Sequence, residues 1–229
     1  MNMPIQDLKI ALGAAMLASV SLLGCGDFFA DSSDATSSGS GDATEDGESF
    51  ADSSDATSSG SGDANENADR GAYPAGPFGG NVDQVLPNLT FTSPDGSSLD
   101  FQAIRDTAGS RYLFINTAAF WCGACIEEQP TIASLHNDYA SRGLETLVTV
   151  FETADQTPAD AGDAGRWLTS YQLPFRVVAD TDASMTDFYD SRSTPLNMLV
   201  DLSSMEVLYR STGTDVDAVR QLVAVLLGN

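Results

Sequence analysis

A mostly apolar run, Arg111 to Thr117 (RYLFINT), leads five residues later into Cys122-Gly123-Ala124-Cys125, and a helical pattern starts at the second cysteine. Ile126, Ile132, Ala133, Leu135 and Tyr139 then recur at roughly helical spacing until Gly143 stops the pattern. An apolar run with few polar breaks suits a strand covered on both faces. A second such strand follows at Glu145 to Phe151 (ETLVTVF). A buried strand, a helix and another buried strand in this order confine the chain to α/β architectures.

The flanking segments extend that reading. Asn88 to Ser93 alternates and meets Pro94-Asp95-Gly96, a strand and a turn. Ala161 to Tyr171 reads as a helix, Phe175 to Ala179 as a short strand, and Ala183 to Tyr189 as a further helix. Leu196 to Asp201 and Glu206 to Ser211 pair as antiparallel strands, and Val216 to Leu227 is a closing amphipathic helix. The expectation is a three-layer α/β/α sandwich with a mixed central sheet, spanning residues 76–229. A domain of that size is ample for one core.

The first third reads differently. Residues 1–24 form an export signal: a polar start with Lys9 as its one cation, then the apolar run Ile10 to Gly24 (IALGAAMLASVSLLG), too short to span a bilayer. Leu22-Leu23-Gly24-Cys25 resembles the lipobox of bacterial lipoproteins, which implies lipidation of Cys25 and a place in the cell envelope, with the domain facing the periplasm or the exterior. Residues 25–75 contain FADSSDATSSGSGDA twice, at 29–43 and 50–64, a period of 21. Two copies of a Ser/Asp/Gly/Ala run bury no core, so the segment reads as a disordered acidic tether. Roughly 45 such residues span on the order of 35–40 Å. Asn88-Leu89-Thr90 matches a glycosylation sequon that a bacterial lipoprotein has no reason to use.

The formal charge is −23, with twelve acids and one base in residues 26–70 and twenty acids and eight arginines in residues 71–229. Phosphate binding needs clusters of Lys and Arg, so nucleic acid is excluded as a partner.

Cys-x-x-Cys at the start of a helix has a chemical rationale. Free N–H groups and the positive end of the helix dipole stabilise a thiolate at Cys122, the more exposed sulfur, while Cys125 lies one turn further in and can resolve a mixed disulfide. A zinc site needs four ligands, and with Cys25 taken by lipid and His136 the single histidine, too few remain. His136 falls on the helix on the order of 15 Å beyond Cys125, most simply as a surface residue, and a copper-binding assembly factor would carry a wider cysteine spacing and a distal histidine. A structural clasp stays open, although closing so short a loop restrains the unfolded chain little. No metal and no cofactor is expected.

From Leu86 to Asn229 the residues resemble the extracytoplasmic thioredoxin-like proteins of the TlpA/ResA group, which share the redoxin fold. The likeness rests on Pro87, Asp95-Gly96, Phe114-Ile115-Asn116, Trp121-Cys122-Gly123-Ala124-Cys125, Glu128 and Pro130, Leu173-Pro174-Phe175, Asp180, Thr194-Pro195 and Leu199-Val200-Asp201. It implies a redox-active disulfide between Cys122 and Cys125, a proton relay at Glu128, and a peptide-docking surface formed by Trp121 with Thr194 and a cis Pro195. Pro130 is expected only to kink the helix. Asn116 stands where cytoplasmic thioredoxins bury an aspartate. Ala124 replaces the proline that most relatives carry before the second cysteine, a departure that bears on the redox potential.

Neither residue between the cysteines is cationic, and Glu127 and Glu128 repel a nearby thiolate. These features favour a reductase that passes electrons from a membrane donor to disulfides in protein partners. A thiol peroxidase and a non-enzymatic binding module with a structural disulfide are the alternative functions. Trp-Cys-x-x-Cys favours disulfide exchange over the Thr-x-x-Cys context of a peroxidatic site.

Overall fold

The computed structural model describes residues 70–228, so the export signal, Cys25 and the repeated segment lie outside the described residues. Seven strands form one mixed sheet: β1 Thr90–Thr92, β2 Ser98–Asp100, β3 Tyr112–Ala119, β4 Leu144–Glu152, β5 Arg176–Ala179, β6 Leu196–Asp201 and β7 Val207–Thr212. Their spatial order is β2-β1-β5-β4-β3-β6-β7. Strands β3, β4 and β5 run parallel, whereas β6, β7 and the β1–β2 hairpin are antiparallel to their neighbours. The α/β sandwich with a mixed sheet read from the sequence is the observed fold.

All eight residues of β3 are buried, which explains why Tyr112 to Ala119 lack polar alternation. Leu113 and Ile115 point to one face and join Leu147, Met198 and Val200 in a core closed by Leu86, Met185 and the short helix α1, Phe101–Arg105. Among the described residues three longer helices remain: α2 Gly123–Tyr139, α3 Ala161–Ser170 and α4 Val216–Leu227. None contributes to that cluster, and they cover the opposite face, α2 against β3 and β4, α3 against β4 and β5, and α4 against β6.

Local chemistry sets the boundaries. The Asp160 carboxylate accepts the Asp163 amide and Asp163 returns a bond to the Asp160 amide, a reciprocal cap that starts α3. Gly143, at φ 104°, ends the turn that follows α2. The helix expected at Ala183 to Tyr189 is instead a 3₁₀ turn, Ser184–Phe188. Both oxygens of the buried Asp180 accept amides there, from Ser184 and Met185, which tightens the segment into a single short turn. Helix α1 was not anticipated; the Asp100 side chain caps it by accepting the Ala103 amide.

Residues 70–75, read as tether from the sequence, lie against the domain. The buried Arg105 guanidinium donates to the carbonyls of Arg70 and Gly71, at 3.0 and 3.1 Å, and Tyr73 donates to the Leu86 carbonyl at 2.8 Å.

Candidate active site

Strand β3 ends at Ala119, and the chain turns through Phe120 and Trp121 into α2. Cys122 is the N-cap of that helix, with extended backbone (φ −87°, ψ 98°), and its sulfur accepts the Cys125 amide at 3.1 Å. A sulfur in this position receives an orphan N–H and the positive end of the helix dipole, both of which favour a thiolate on reduction. Cys122 and Cys125 are joined as a disulfide. Cys125 is wholly buried and Cys122 keeps 5% exposure, so the outer sulfur is the accessible one, though less open than the sequence suggested.

Each sulfur faces a backbone carbonyl, Cys122 that of Thr194 and Cys125 that of Thr117, both at 3.9 Å. The disulfide carries no proton, so these contacts become S–H···O bonds only in the dithiol. The peptide bond between Thr194 and Pro195 is cis, as the resemblance implied. The Pro195 carbonyl accepts the Gly213 amide at 2.8 Å.

Glu128 lies three residues beyond Cys125 on the same helical face. It is buried rather than solvated: Oε1 accepts the Asp215 amide at 2.9 Å and Oε2 the Asn116 side-chain amide at 3.3 Å. Burial pushes its pKa from 4.5 up to about 7, against the opposing pull of these hydrogen bonds. Asn116 also donates to Asn197 Oδ1 at 2.8 Å, and Asn197 donates to the Gly213 carbonyl at 2.9 Å. Asn197 belongs to the site and was missed, because its link to Asn116 joins positions 81 apart.

Trp121 is 39% exposed, donates its indole N–H to Glu152 at 2.7 Å and stacks edge-on against Phe151. With Glu152, Gln156, Ser191 and Arg192 it lines a cleft of about 400 Å³. A second cleft of about 400 Å³ lies over Glu127, Glu128, Thr131 and Asp215. Pro130 sits inside α2 and supplies no N–H to the helix ladder. His136 is half-buried and not a plain surface residue: it bonds Thr146 at 3.2 Å and packs against Phe175, and burial lowers its pKa. Among the described residues no cluster of three or more His, Cys, Asp and Glu is placed to hold a metal ion. No described helix is long and apolar enough to cross a membrane.

Known proteins resemble this chain in sequence and fold. The AhpC/TSA family model matches residues 82–212. The thiol-disulfide oxidoreductase ResA of Bacillus subtilis (strain 168) is 25% identical over 134 residues, 58% of this chain and 68% of ResA. A ResA of Bacillus cereus is 25% identical over 120 residues, 52% of this chain and 64% of that protein. The chain thus spans about two thirds of the length of these curated relatives. Among solved structures, a putative thiol:disulfide interchange protein DsbE from Chlorobium tepidum superposes with a TM-score of 0.52 at 22% identity, covering 65% of this chain and 99% of the other. The thioredoxin domain of a thiol-disulfide oxidoreductase from Bacteroides vulgatus gives 0.51 at 16% identity, over 65% and 99%. A helix-capping disulfide after a buried strand, a cis-proline facing it and this family match converge on one conclusion: the chain belongs to the AhpC/TSA family, as a thioredoxin-fold member similar to the ResA thiol–disulfide oxidoreductases.

Proposed function

We propose that the protein is a thiol–disulfide oxidoreductase that works as a reductase outside the cytoplasm, held to a membrane through lipid on Cys25. The observation that carries the chemistry is the position of Cys122, capping α2 with its sulfur on the Cys125 amide. The names of the ResA relatives support the activity. The lipobox-like Leu22 to Cys25 supports the anchor.

The dithiol supplies two electrons. The Cys122 thiolate attacks one sulfur of a substrate disulfide, forming a mixed disulfide and expelling the other substrate sulfur as a thiolate. Cys125 then loses its proton and attacks Cys122 Sγ; the second substrate thiolate leaves, and the Cys122–Cys125 disulfide is restored. Glu128, with a pKa of about 7, accepts the Cys125 proton. Trp121 and the Thr194–Pro195 segment dock the substrate polypeptide, whose extended backbone pairs beside Cys122 as an added strand. A membrane electron donor returns the enzyme to the dithiol.

The test is single-turnover exchange between the reduced full-length protein and a disulfide-bonded peptide, with Cys122→Ser as control. Exchange that depends on Cys122 supports the reading, and its absence sinks it. Hydrogen peroxide consumed faster than peptide disulfide would make the protein a thiol peroxidase instead.

A further inference from the structure

The chain has a tyrosine beneath the redox couple that the exchange chemistry above does not use. Tyr189, which follows the 3₁₀ turn Ser184–Phe188, places its hydroxyl 2.8 Å from Thr117 Oγ1 and 2.9 Å from Thr194 Oγ1. Two further bonds end the chain: the Leu196 amide donates to Thr117 Oγ1 at 2.9 Å, and Thr194 Oγ1 donates to the Ser191 carbonyl at 2.7 Å.

Proton counting fixes every direction. A hydroxyl has one proton to give, and a carbonyl has none. Thr194 has committed its proton to Ser191, so it accepts from Tyr189. Tyr189 has then committed its own, so it accepts from Thr117. The result is a one-way series from the Leu196 amide through Thr117, Tyr189 and Thr194 to the Ser191 carbonyl, with its two ends on either side of Pro195. Burial raises the Tyr189 pKa, so the group stays a neutral donor.

The same two threonines present the carbonyls that face the two sulfurs. Tyr189 therefore ties together the two backbone walls of the couple. Among the described residues no N–H donates to the Thr194 carbonyl, whereas the Thr194 amide is bonded to Ser191 and the Pro195 carbonyl to Gly213. The Thr194 carbonyl is thus the acceptor left for an incoming N–H.

We propose that Tyr189 is a positioning residue for polypeptide substrates: its hydroxyl holds the Thr194 carbonyl beside Cys122, where the backbone flanking the substrate disulfide pairs. The proposal rests on the exchange activity proposed above. A small disulfide has no strand to pair and does not call on that carbonyl in the same way.

The test compares reduced full-length protein acting on a disulfide-bonded unstructured peptide and on glutathione disulfide. In Tyr189→Phe the kcat/KM ratio of peptide to glutathione disulfide falls about tenfold, mainly through KM, as loss of a buried hydroxyl link implies. Thr194→Val, which cuts the next link, reproduces the fall and serves if Tyr189→Phe does not fold, while Thr194→Ser stays within about twofold of the wild-type ratio. The double variant Tyr189→Phe/Thr194→Val is no worse than either single one, because both cut the same series. An unchanged ratio in both Tyr189→Phe and Thr194→Val, or equal losses on both substrates, overturns the proposal. A wild-type protein that exchanges with neither substrate overturns the activity itself, a result distinct from a failed ratio.

Discussion

The amide of Asp215, at the start of α4, donates to Oε1 of Glu128 in α2 at 2.9 Å, and this bond ties the two helices beside the redox couple. Burial leaves Glu128 with few solvent contacts and raises its pKa, while the bond from Asp215 pulls the other way.

A dependence of stability on pH follows. Glu128 in the unfolded chain loses its proton near 4.5, whereas the folded protein keeps it to about 7. The folded state binds more protons in that window, so its stability falls as pH rises from 4.5 to 7 and levels off above. The contribution is on the order of 2–3 kcal/mol. Urea unfolding at pH 5 and pH 8 should show this decline in the wild type and lose it in Glu128→Gln. An identical decline in the variant would remove Glu128 as its source.

The two cysteines are expected to behave unequally. Cys122→Ser abolishes exchange, because the accessible sulfur is gone. Cys125→Ser still attacks but cannot resolve, so a mixed disulfide with the peptide accumulates and is visible by intact mass. Accumulation in Cys122→Ser instead would reverse the two roles.

The reduction potential reports the direction of electron flow. Cys122 receives one helix amide and neither residue between the cysteines is a cation, so its thiolate is expected to be stabilised only moderately. Glu128 adds less repulsion than the sequence implied, since much of it is protonated at neutral pH. Equilibrating the full-length protein in glutathione buffers, with fluorescence of Trp121 as the readout, should give about −250 mV or lower. A value near about −120 mV would make the protein an oxidant.

The second tryptophan is a core residue. Trp167 in α3 is fully buried, packs edge-on against Phe120 and Tyr171, and leaves its indole N–H without a hydrogen-bond partner. Trp167→Ala should cost about 3–5 kcal/mol in denaturant unfolding, as large cavities do. Trp167→Phe should cost clearly less, because its ring fills most of the space, and it would isolate the Trp121 signal. Equal losses in the two variants would show that a phenyl ring recovers none of the packing lost with the indole.

Sequence reading succeeded where one segment decides its own environment. Strand β3 is buried on both faces and says so in its composition, and α4 keeps helical spacing over its whole length. Cys122 was legible as a capping position because strand and helix flank it directly. Reading failed where distant residues decide. Glu128 could be read only as a relay and as a negative charge near the couple, since Asp215, which helps to enclose it, lies 87 residues away. Tyr189 gave no signal at all, because Thr117 is 72 positions removed. Helix α1 is five residues long, too short for a period to show.

Arg105 grips the carbonyls of residues 70 and 71, and its third carbonyl partner, that of Ser203, follows the end of β6, at the end of the sheet where β3 begins. Cys122 lies beyond the other end of β3, about 26 Å away along an eight-residue strand. The domain therefore has a stern and a bow: residue 70 sits at one pole while the sulfurs lead at the other. A fusion made at residue 70 therefore presents the sulfurs on the far side of the domain from its point of attachment.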